Sequence, residues 1–249
     1  MGPRLALASL AALLIVVPFT LLLVLVENKW APLARLDADA AASLTDWATR
    51  HHLTHFLEVV QSVSQPRWFQ VAAALMALWF LIKGAHRLAL WAAVTMTVGG
   101  LLGVLLKQLV ARARPVIDEP IVHIGGYSFP SGHALNSMLG VGVLLLGLIP
   151  LLGRRTTIVA WCLGIGIVLL VGFDRIALGA HYVSDVLAGW IVALAVLAAT
   201  TSAFATWRSK VGRRPTKLGE EGVDPEAAQA TTNDSDVNPD DARTSTKRT

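Results

Sequence analysis

A first cluster of side chains suited to binding an anion contains Lys107 and Arg114, in a stretch that ends at Pro115. Residues seven apart are separated by about two turns of an α-helix, so the two cations are expected on one face. Pro115 favours an extended backbone at Arg114 and is expected to end the helix there. Two cations on one side of a helix end can hold a phosphate group. The alternative is that both side chains extend toward lipid head groups at the membrane surface, as lysine and arginine often do.

A second cluster is the sequence Pro130-Ser131-Gly132-His133, which comes directly before an uncharged run. Serine is a favourable N-cap, and glycine lets a ligand approach the backbone closely. The free amides at a helix start, together with the helix dipole, favour an anion. His133 would then lie in the first turn and face that anion. An ordinary capped helix with a histidine at the membrane surface would have the same sequence.

A third cluster contains Arg175, His181 and Asp185. His181 and Asp185 are four residues apart and would face each other if a helix begins near residue 181. A carboxylate beside an imidazole selects one tautomer and leaves the other ring nitrogen free to react. Arg175 adds a third cation. A histidine–aspartate pair that only caps a helix is the alternative.

Together the three clusters indicate phosphoryl transfer. Three cations and a helix start can stabilise the negative charge that spreads over phosphoryl oxygens in the transition state. One histidine can attack phosphorus, and the other can protonate the leaving oxygen.

The composition indicates that these clusters are held in a membrane protein. Of the 249 residues, 54% are hydrophobic and only 15% are charged, well below the charge of a typical soluble domain, and the mean hydropathy is +0.58. The only cysteine is Cys162, which excludes an intrachain disulfide and a cysteine-based metal site. The net charge is +4, and the basic residues are scattered in short groups, so we expect no nucleic-acid partner.

Six apolar stretches are candidates for membrane spans, since about 20 residues of helix cross a bilayer. They are residues 5–26, 68–82, 88–106, 134–153, 156–173 and 186–207. We therefore expect an all-α, polytopic membrane protein with a bundle of six transmembrane helices. The first stretch is longer than the apolar core of a signal peptide, so we interpret it as a retained helix.

The basic residues between these stretches predict the orientation. On one side of a six-span chain lie Arg4, Lys83, Arg87, Arg154, Arg155 and the basic residues of 208–217. The positive-inside rule makes this side cytoplasmic, with both termini, in the cell membrane. The three clusters then face outside, where 36–52 could form an amphipathic helix at the interface. Arg112, on another helix face than Lys107, is interpreted as a contact to lipid head groups.

Two regions are expected along the chain. Residues 1–207 form the six-span domain, and residues 208–249 form a basic neck followed by an acidic cytoplasmic tail. The tail has no apolar periodicity and is expected to be disordered.

The three clusters resemble the signature of the type 2 phosphatidic acid phosphatase family, which shares its site with vanadium haloperoxidases. That signature is K-x6-R-P, then P-S-G-H, then S-R-x5-H-x3-D. The matching segments here are Lys107…Arg114-Pro115, Pro130-Ser131-Gly132-His133 and Asp174-Arg175…His181…Asp185. The motif region covers residues 107–185, and the six-span layout extends the likeness to about 1–207. One position departs from the signature, because Asp174 replaces its serine. This acid could compete with phosphate for Arg175 or could orient the guanidinium.

The resemblance implies a role for each matching residue. His181 would be the nucleophile that forms a phosphohistidine, Asp185 would orient it, and His133 would act as acid and then as base. The expected phosphate-binding residues are Lys107, Arg114, Ser131, Gly132 and Arg175. No metal and no other cofactor is implied.

The function implied is hydrolysis of a phosphate or diphosphate on a membrane lipid. Undecaprenyl diphosphate, phosphatidate and phosphatidylglycerophosphate would all fit, and the partners would be this lipid and the bilayer. The oligomeric state stays open. The alternatives are an anion or lipid transporter, a scaffold that binds phosphate without hydrolysis, and a vanadate-dependent haloperoxidase. A transporter would need polar groups near the span centres, which carry few here.

The orientation gives a first testable prediction. A reporter protein fused after residue 210 should behave as cytoplasmic, and one inserted near Asp118 should behave as external, because the basic loops alternate with the motif-bearing ones. Reporter activity and protection from an external protease measure both positions. The reverse pattern would place the three clusters inside the cell.

Overall fold

The computed structural model describes the backbone of residues 2–117, 121–122 and 124–210, and the side chains of residues 15–117, 121–122, 124–149 and 151–204. All regular structure in these ranges is helical. The helices are α1 (Gly2–Glu27), α2 (Ala31–Arg50), α3 (Thr54–Val63), α4 (Pro66–Ile82), α5 (His86–Val110), α6 (Gly132–Leu148), α7 (Arg154–Ala177) and α8 (Val183–Lys210), with a 3₁₀ turn at Ile149–Leu151.

The long helices agree with the apolar stretches of the sequence. Five of the six predicted spans lie inside α1, α4, α5, α7 and α8. The stretch predicted at 134–153 ends earlier as a helix, at Leu148, where Ile149–Leu151 tighten into a 3₁₀ turn around Pro150. The amphipathic helix expected at 36–52 is the longer α2, and α3 was not expected. The tail from residue 211 onward, which contains most of the predicted basic neck, lies outside the described residues.

Several helices are suited to a membrane. Among the described residues, His86–Val110, Arg154–Ala177 and Val183–Phe204 are each long and apolar enough to cross it. Residues Ile15–Glu27 and Ala31–Arg50 meet these criteria only as a pair bent by 88°, and α6 is a shorter apolar helix. The chain is therefore a multi-pass membrane protein, and the count of six crossings stays a prediction.

The outward faces of the helices are also apolar. Large side chains such as Leu75, Leu101, Val104 and Leu163 are more than 60% exposed on the outside of the bundle. A soluble monomer rarely exposes such a continuous apolar surface. These faces are matched to lipid rather than to water.

Helix α6 lies at the centre of the bundle and packs against α4, α5, α7 and α8. Its Leu135, Leu139 and Val143 are buried in a common core with Phe80 of α4 and Val192 of α8. Close approach of α8 to the start of α6 requires Gly189, since a Cβ there would lie 2.8 Å from the carbonyl oxygen of Ser131. The start of α6 is thereby held against the first turns of α8.

One end of the bundle collects all three clusters. The end of α5, the start of α6, the end of α7 and the start of α8 meet there, and α2 and α3 pack on the same end. Ala48 of α2 and Leu57 of α3 are buried against Ala177, Leu178 and Ala180, around the turn between α7 and α8. These two short helices therefore support the loop that carries His181.

Candidate active site

A tight turn after α7 places His181. Gly179 adopts a positive φ of +70°, which glycine accepts without strain, and the amides of Ala180 and His181 both donate to the carbonyl of Arg175 at 3.1 Å. His181 lies two residues before α8, which begins at Val183. The expectation that a helix would begin near residue 181 is therefore correct to two residues, and the turn holds the histidine relative to Arg175.

The two ring nitrogens of His181 face different partners. Nδ1 lies 3.5 Å from Oδ2 of Asp185, and Nε2 lies 3.2 Å from Nη1 of Arg114. The first contact is longer than a good hydrogen bond, and such contacts often shorten when a substrate binds. The carboxylate favours a proton on Nδ1, which leaves the lone pair of Nε2 on the side of Arg114. Nε2 is therefore the nitrogen suited to attack.

Burial controls the charge of this ring. His181 is almost completely buried, and this burial lowers its pKa to about 4. Asp185 opposes the decrease, whereas Arg114 and Lys107 add to it. The imidazole is neutral at pH 7, which is the state that a nucleophile needs.

Asp185 joins the second and third clusters. Its Oδ2 accepts from the amide of Tyr182 at 2.9 Å, and its Oδ1 accepts from Arg112 at 2.7 Å. The backbone carbonyl of Asp185 accepts from the amide of Ser131 at 2.9 Å. The carboxylate is fully buried, so these bonds compensate for its lost hydration.

Arg114 reaches the site from the linker that follows α5. Nη1 donates to the carbonyl of Ala180 at 2.7 Å, and Nε donates to the carbonyl of Gly126 at 3.1 Å. The helix was expected to continue to Arg114, which is wrong: α5 ends at Val110, and Ala111 takes a left-handed conformation with φ 46°. The linker, and not a shared helix face, therefore directs Arg114 into the site.

Lys107 and Gly132 meet at the start of α6. Ser131 is the N-cap, as predicted, with its Oγ 3.5 Å from the amide of Ala134. Nζ of Lys107 lies 4.0 Å from the position that a Cβ on Gly132 would occupy. The absence of a side chain at Gly132 keeps the space between the ammonium and the helix start open to an anion.

Arg175 and His133 form the other side of the site. Arg175 is fully buried, and its Nη1 lies 3.5 Å from Nε2 of His133. Asp174 accepts from both Nε and Nη2 of Arg175, the former at 2.9 Å. The acid that replaces the signature's serine therefore binds one edge of the guanidinium and leaves Nη1 directed at His133.

Two residues that hydrogen-bond at the site were not recognised from the sequence. The interpretation of Arg112 as a lipid contact is wrong, because Arg112 binds Asp185, Ser184 and Asp37. Asp37 lies in the stretch 36–52, for which only an amphipathic helix at the interface was predicted. One signal was available: Asp37 lies on the same helix stripe as Ala41, at a spacing of four residues, in the buried face of α2.

No group of three or more histidine, cysteine, aspartate or glutamate side chains suited to a metal ion occurs within the described residues. The groups left to face a phosphate here are three cations, two histidines and a helix start, a set that complements an anion.

Comparison with known proteins finds a family model that matches the segment with the three clusters. Residues 88–209 match the model of the PAP2 superfamily, and this range contains all three clusters. This segment of the chain is thus similar to the PAP2 superfamily. The family resemblance predicted from the three motifs is confirmed.

Two curated relatives of this chain are named phosphatases. Phosphatidylglycerophosphatase B of Bacillus subtilis is 38% identical over 97 residues, which are 38% of this chain and 47% of the relative. Undecaprenyl-diphosphatase of Sulfolobus acidocaldarius is 28% identical over 130 residues, which are 50% of this chain and 57% of the relative. The chain thus spans about half the length of the curated relatives it matches.

A solved structure shares the helical fold of this chain. The crystal structure of the first transmembrane PAP2 type phosphatidylglycerolphosphate phosphatase from Bacillus subtilis superposes with a TM-score of 0.66 at 21% identity. The match covers 80% of this chain and 98% of that chain. This likeness concerns the helical architecture.

The pairing of Asp174 with Arg175 leads to a prediction about anion binding. Asp174→Asn keeps the shape of the side chain and removes its negative charge. We expect vanadate to inhibit this variant at about fivefold lower concentration, because the change in interaction with a nearby anion is about 1 kcal/mol. The thermal unfolding temperature should fall, because buried Arg175 loses its charged partner.

Inhibition of phosphate release by vanadate measures the first effect, and a melting curve measures the second. Asp46→Asn is the matched control, since Asp46 is an exposed acid paired with Arg50 on α2. Unchanged or weaker inhibition of the Asp174 variant would contradict the charge argument.

Proposed function

We propose that this protein is an integral membrane lipid phosphatase that hydrolyses a phosphate or diphosphate group through a phosphohistidine intermediate. One observation carries the proposal: Nε2 of His181 and Nε2 of His133 each lie beside an arginine of the same cation cluster, at 3.2 and 3.5 Å. Two histidines arranged around one anion site can serve as nucleophile and as acid.

The first step transfers the phosphoryl group to the protein. The substrate phosphate binds among Lys107, Arg114 and Arg175, with the amides near Gly132 as further donors. Nε2 of His181 attacks phosphorus, so a nitrogen–phosphorus bond forms and the bond from phosphorus to the leaving oxygen breaks. His133 gives its proton to that oxygen. The negative charge of the bound phosphate favours the protonated form of His133 before the step.

The second step releases the phosphate. His133, now neutral, takes a proton from a water molecule whose oxygen attacks phosphorus. The nitrogen–phosphorus bond breaks, and His181 returns to its neutral state with inorganic phosphate as the product. Asp185 stabilises the positive charge on the His181 ring in both steps.

The substrate class follows from where the site lies in the bundle. The site is formed at the ends of apolar helices, so a lipid can keep its tail in the bilayer while its head group reaches the cations. The curated relatives are named for phosphatidylglycerophosphate and undecaprenyl diphosphate, and both lipid classes, with phosphatidate, are candidates here. By the charge of the loops, the site faces outside the cell membrane.

Hydrolysis is favoured over transport. A transported anion would have to pass the stretches 88–106, 134–153, 156–173 and 186–207, and none of these contains a charged residue. In the bundle interior, Thr95 and Thr200 bond to each other at 2.9 Å. Release of inorganic phosphate by the purified protein from phosphatidylglycerophosphate, undecaprenyl diphosphate and phosphatidate tests the proposal. Binding without release from any of them would favour a scaffold.

The roles of the two histidines give a further prediction. His181→Ala should abolish turnover, because no nucleophile remains, and Asp185→Asn should be less severe. His133→Ala should slow loss of an alkoxide by about 10²–10⁴-fold, and loss of a phosphate leaving group less, because a better leaving group needs less protonation. The ratio of diphosphate to monoester hydrolysis should therefore rise in the His133 variant.

Acid-labile radiolabel from a phosphate-labelled substrate measures the intermediate. It should appear on the wild-type protein after quenching and be absent from His181→Ala. His55→Ala is the matched control, since this histidine is exposed on α3. Label that persists in the His181 variant and disappears in the His133 variant would invert the two roles.

Independence from metal ions is the next prediction. Activity should survive EDTA, because side-chain cations already neutralise the phosphate, and vanadate should inhibit, because it mimics five-coordinate phosphorus. Phosphate release measured with and without chelator provides the comparison. Loss of activity in EDTA that Mg²⁺ restores would contradict the mechanism.

A further inference from the structure

Asp37 is a buried acid on a helix that otherwise carries its charges on the surface. Its side chain is fully buried, whereas Arg35 and Asp39 on either side are exposed. Burying a carboxylate is costly unless charged and hydrogen-bonded partners compensate for the lost water. The partners of Asp37 therefore explain why α2 carries an acid at this position.

The first partner of Asp37 is the start of α8. Oδ1 accepts from the backbone amide of Ser184 at 3.0 Å, and Oδ2 accepts from the hydroxyl of the same residue. Ser184 is the second residue of α8, so its amide is one of those that a helix leaves unbonded. Asp37 caps α8 from a different helix, and its charge complements the helix dipole.

The second partner is Arg112, which connects Asp37 to the site. Nη2 of Arg112 donates to Oδ2 of Asp37 at 2.8 Å, and Nη1 donates to Oδ1 of Asp185 at 2.7 Å. The guanidinium also lies over the ring of Tyr182, 4.2 Å from its centroid. Arg112 is thus shared by two carboxylates, one of which faces His181.

The position of Arg112 between the two carboxylates determines which oxygen of Asp185 faces His181. Guanidinium groups tend to bind one carboxylate with two parallel hydrogen bonds. Because Asp37 holds Nη2, Arg112 contacts only Oδ1 of Asp185. Oδ2 of Asp185 then keeps the Tyr182 amide as its bonded partner and faces Nδ1 of His181.

We propose that Asp37 is a positioning residue for the phosphatase reaction, which holds Arg112 away from Oδ2 of Asp185 and so reserves this oxygen for Nδ1 of His181. The inference rests on the proposed function for its catalytic consequence. Asp37 contacts neither His133 nor the three phosphate-binding cations in the described residues, so its effect is transmitted through Arg112 and Asp185.

Steady-state kinetics on Asp37→Asn test the catalytic consequence. We expect kcat to fall by on the order of 10-fold or more, because a misplaced catalytic group can cost 10²-fold. KM should change by less than about twofold, since Asp37 does not contact the phosphate. Asp39→Asn, an exposed acid on the same helix, is the matched control and should behave as wild type.

A double-mutant cycle separates positioning from general damage. In an Asp185→Asn background, Asp37→Asn should lower kcat by less than about twofold, because the group it positions is already lost. An undiminished decrease in that background would overturn the proposal. Ser184→Ala keeps both carboxylates and removes the hydroxyl that contacts Asp37 and Arg112. If Asp37→Asn does not fold, the cycle is run with Ser184→Ala and Asp185→Asn. A decrease in kcat by Ser184→Ala that is as large in the Asp185→Asn background as in the wild-type protein would overturn the proposal.

Nitrogen-15 chemical shifts of His181 at pH 7 give a readout that does not need turnover. Wild type and Asp39→Asn should show the proton on Nδ1, whereas Asp37→Asn should show a mixture of the two tautomers. An unchanged tautomer in Asp37→Asn would overturn the proposal. If the wild-type protein releases no phosphate from any tested lipid, the proposed function fails, and this spectroscopic comparison still decides whether Asp37 positions His181.

Discussion

A carboxylate can be buried at the end of an apolar bundle only when its oxygens are bound, and much of this site follows from meeting that requirement at Asp185. Its side chain accepts from Arg112 and from the Tyr182 amide, and its carbonyl accepts from the Ser131 amide. These partners belong to the linker after α5, the loop before α8 and the cap of α6. The hydrogen bonds to Asp185 therefore bring three separate segments of the chain together at one place.

The balance of charge around the site depends on the acids as much as on the cations. Asp174 binds one edge of Arg175, and Asp37 and Asp185 share Arg112. Each acid fixes the orientation of a guanidinium that would otherwise be buried alone at high cost. Since Arg112 is neutralised in this way, the cations left to face a phosphate are Lys107, Arg114 and the Nη1 side of Arg175.

The helices outside the family motifs also contribute to the site. Helix α2 supplies Asp37, and α2 and α3 pack on the turn that carries His181. The packing of α6 at the centre of the bundle also contributes to the site. Gly189 lets α8 approach the N-terminus of α6, where His133 lies near Arg175. The candidate catalytic groups are thus held mainly by packing and backbone contacts, with few hydrogen bonds between their own side chains.

The order of residues along the chain is enough to predict where the long helices lie and which side chains are candidates for the chemistry. An apolar run between charged residues is a local property, and motif spacing keeps His133, His181 and Asp185 recognisable without a fold. The partners of Arg112 become apparent only in the folded bundle. Arg112 and Asp37 are 75 residues apart, and the end of α5 at Val110 turns Arg112 off the helix face that its spacing predicted. Local spacing governs neighbours within one helix, whereas contacts between distant segments depend on how the helices pack and on which buried charges must be paired.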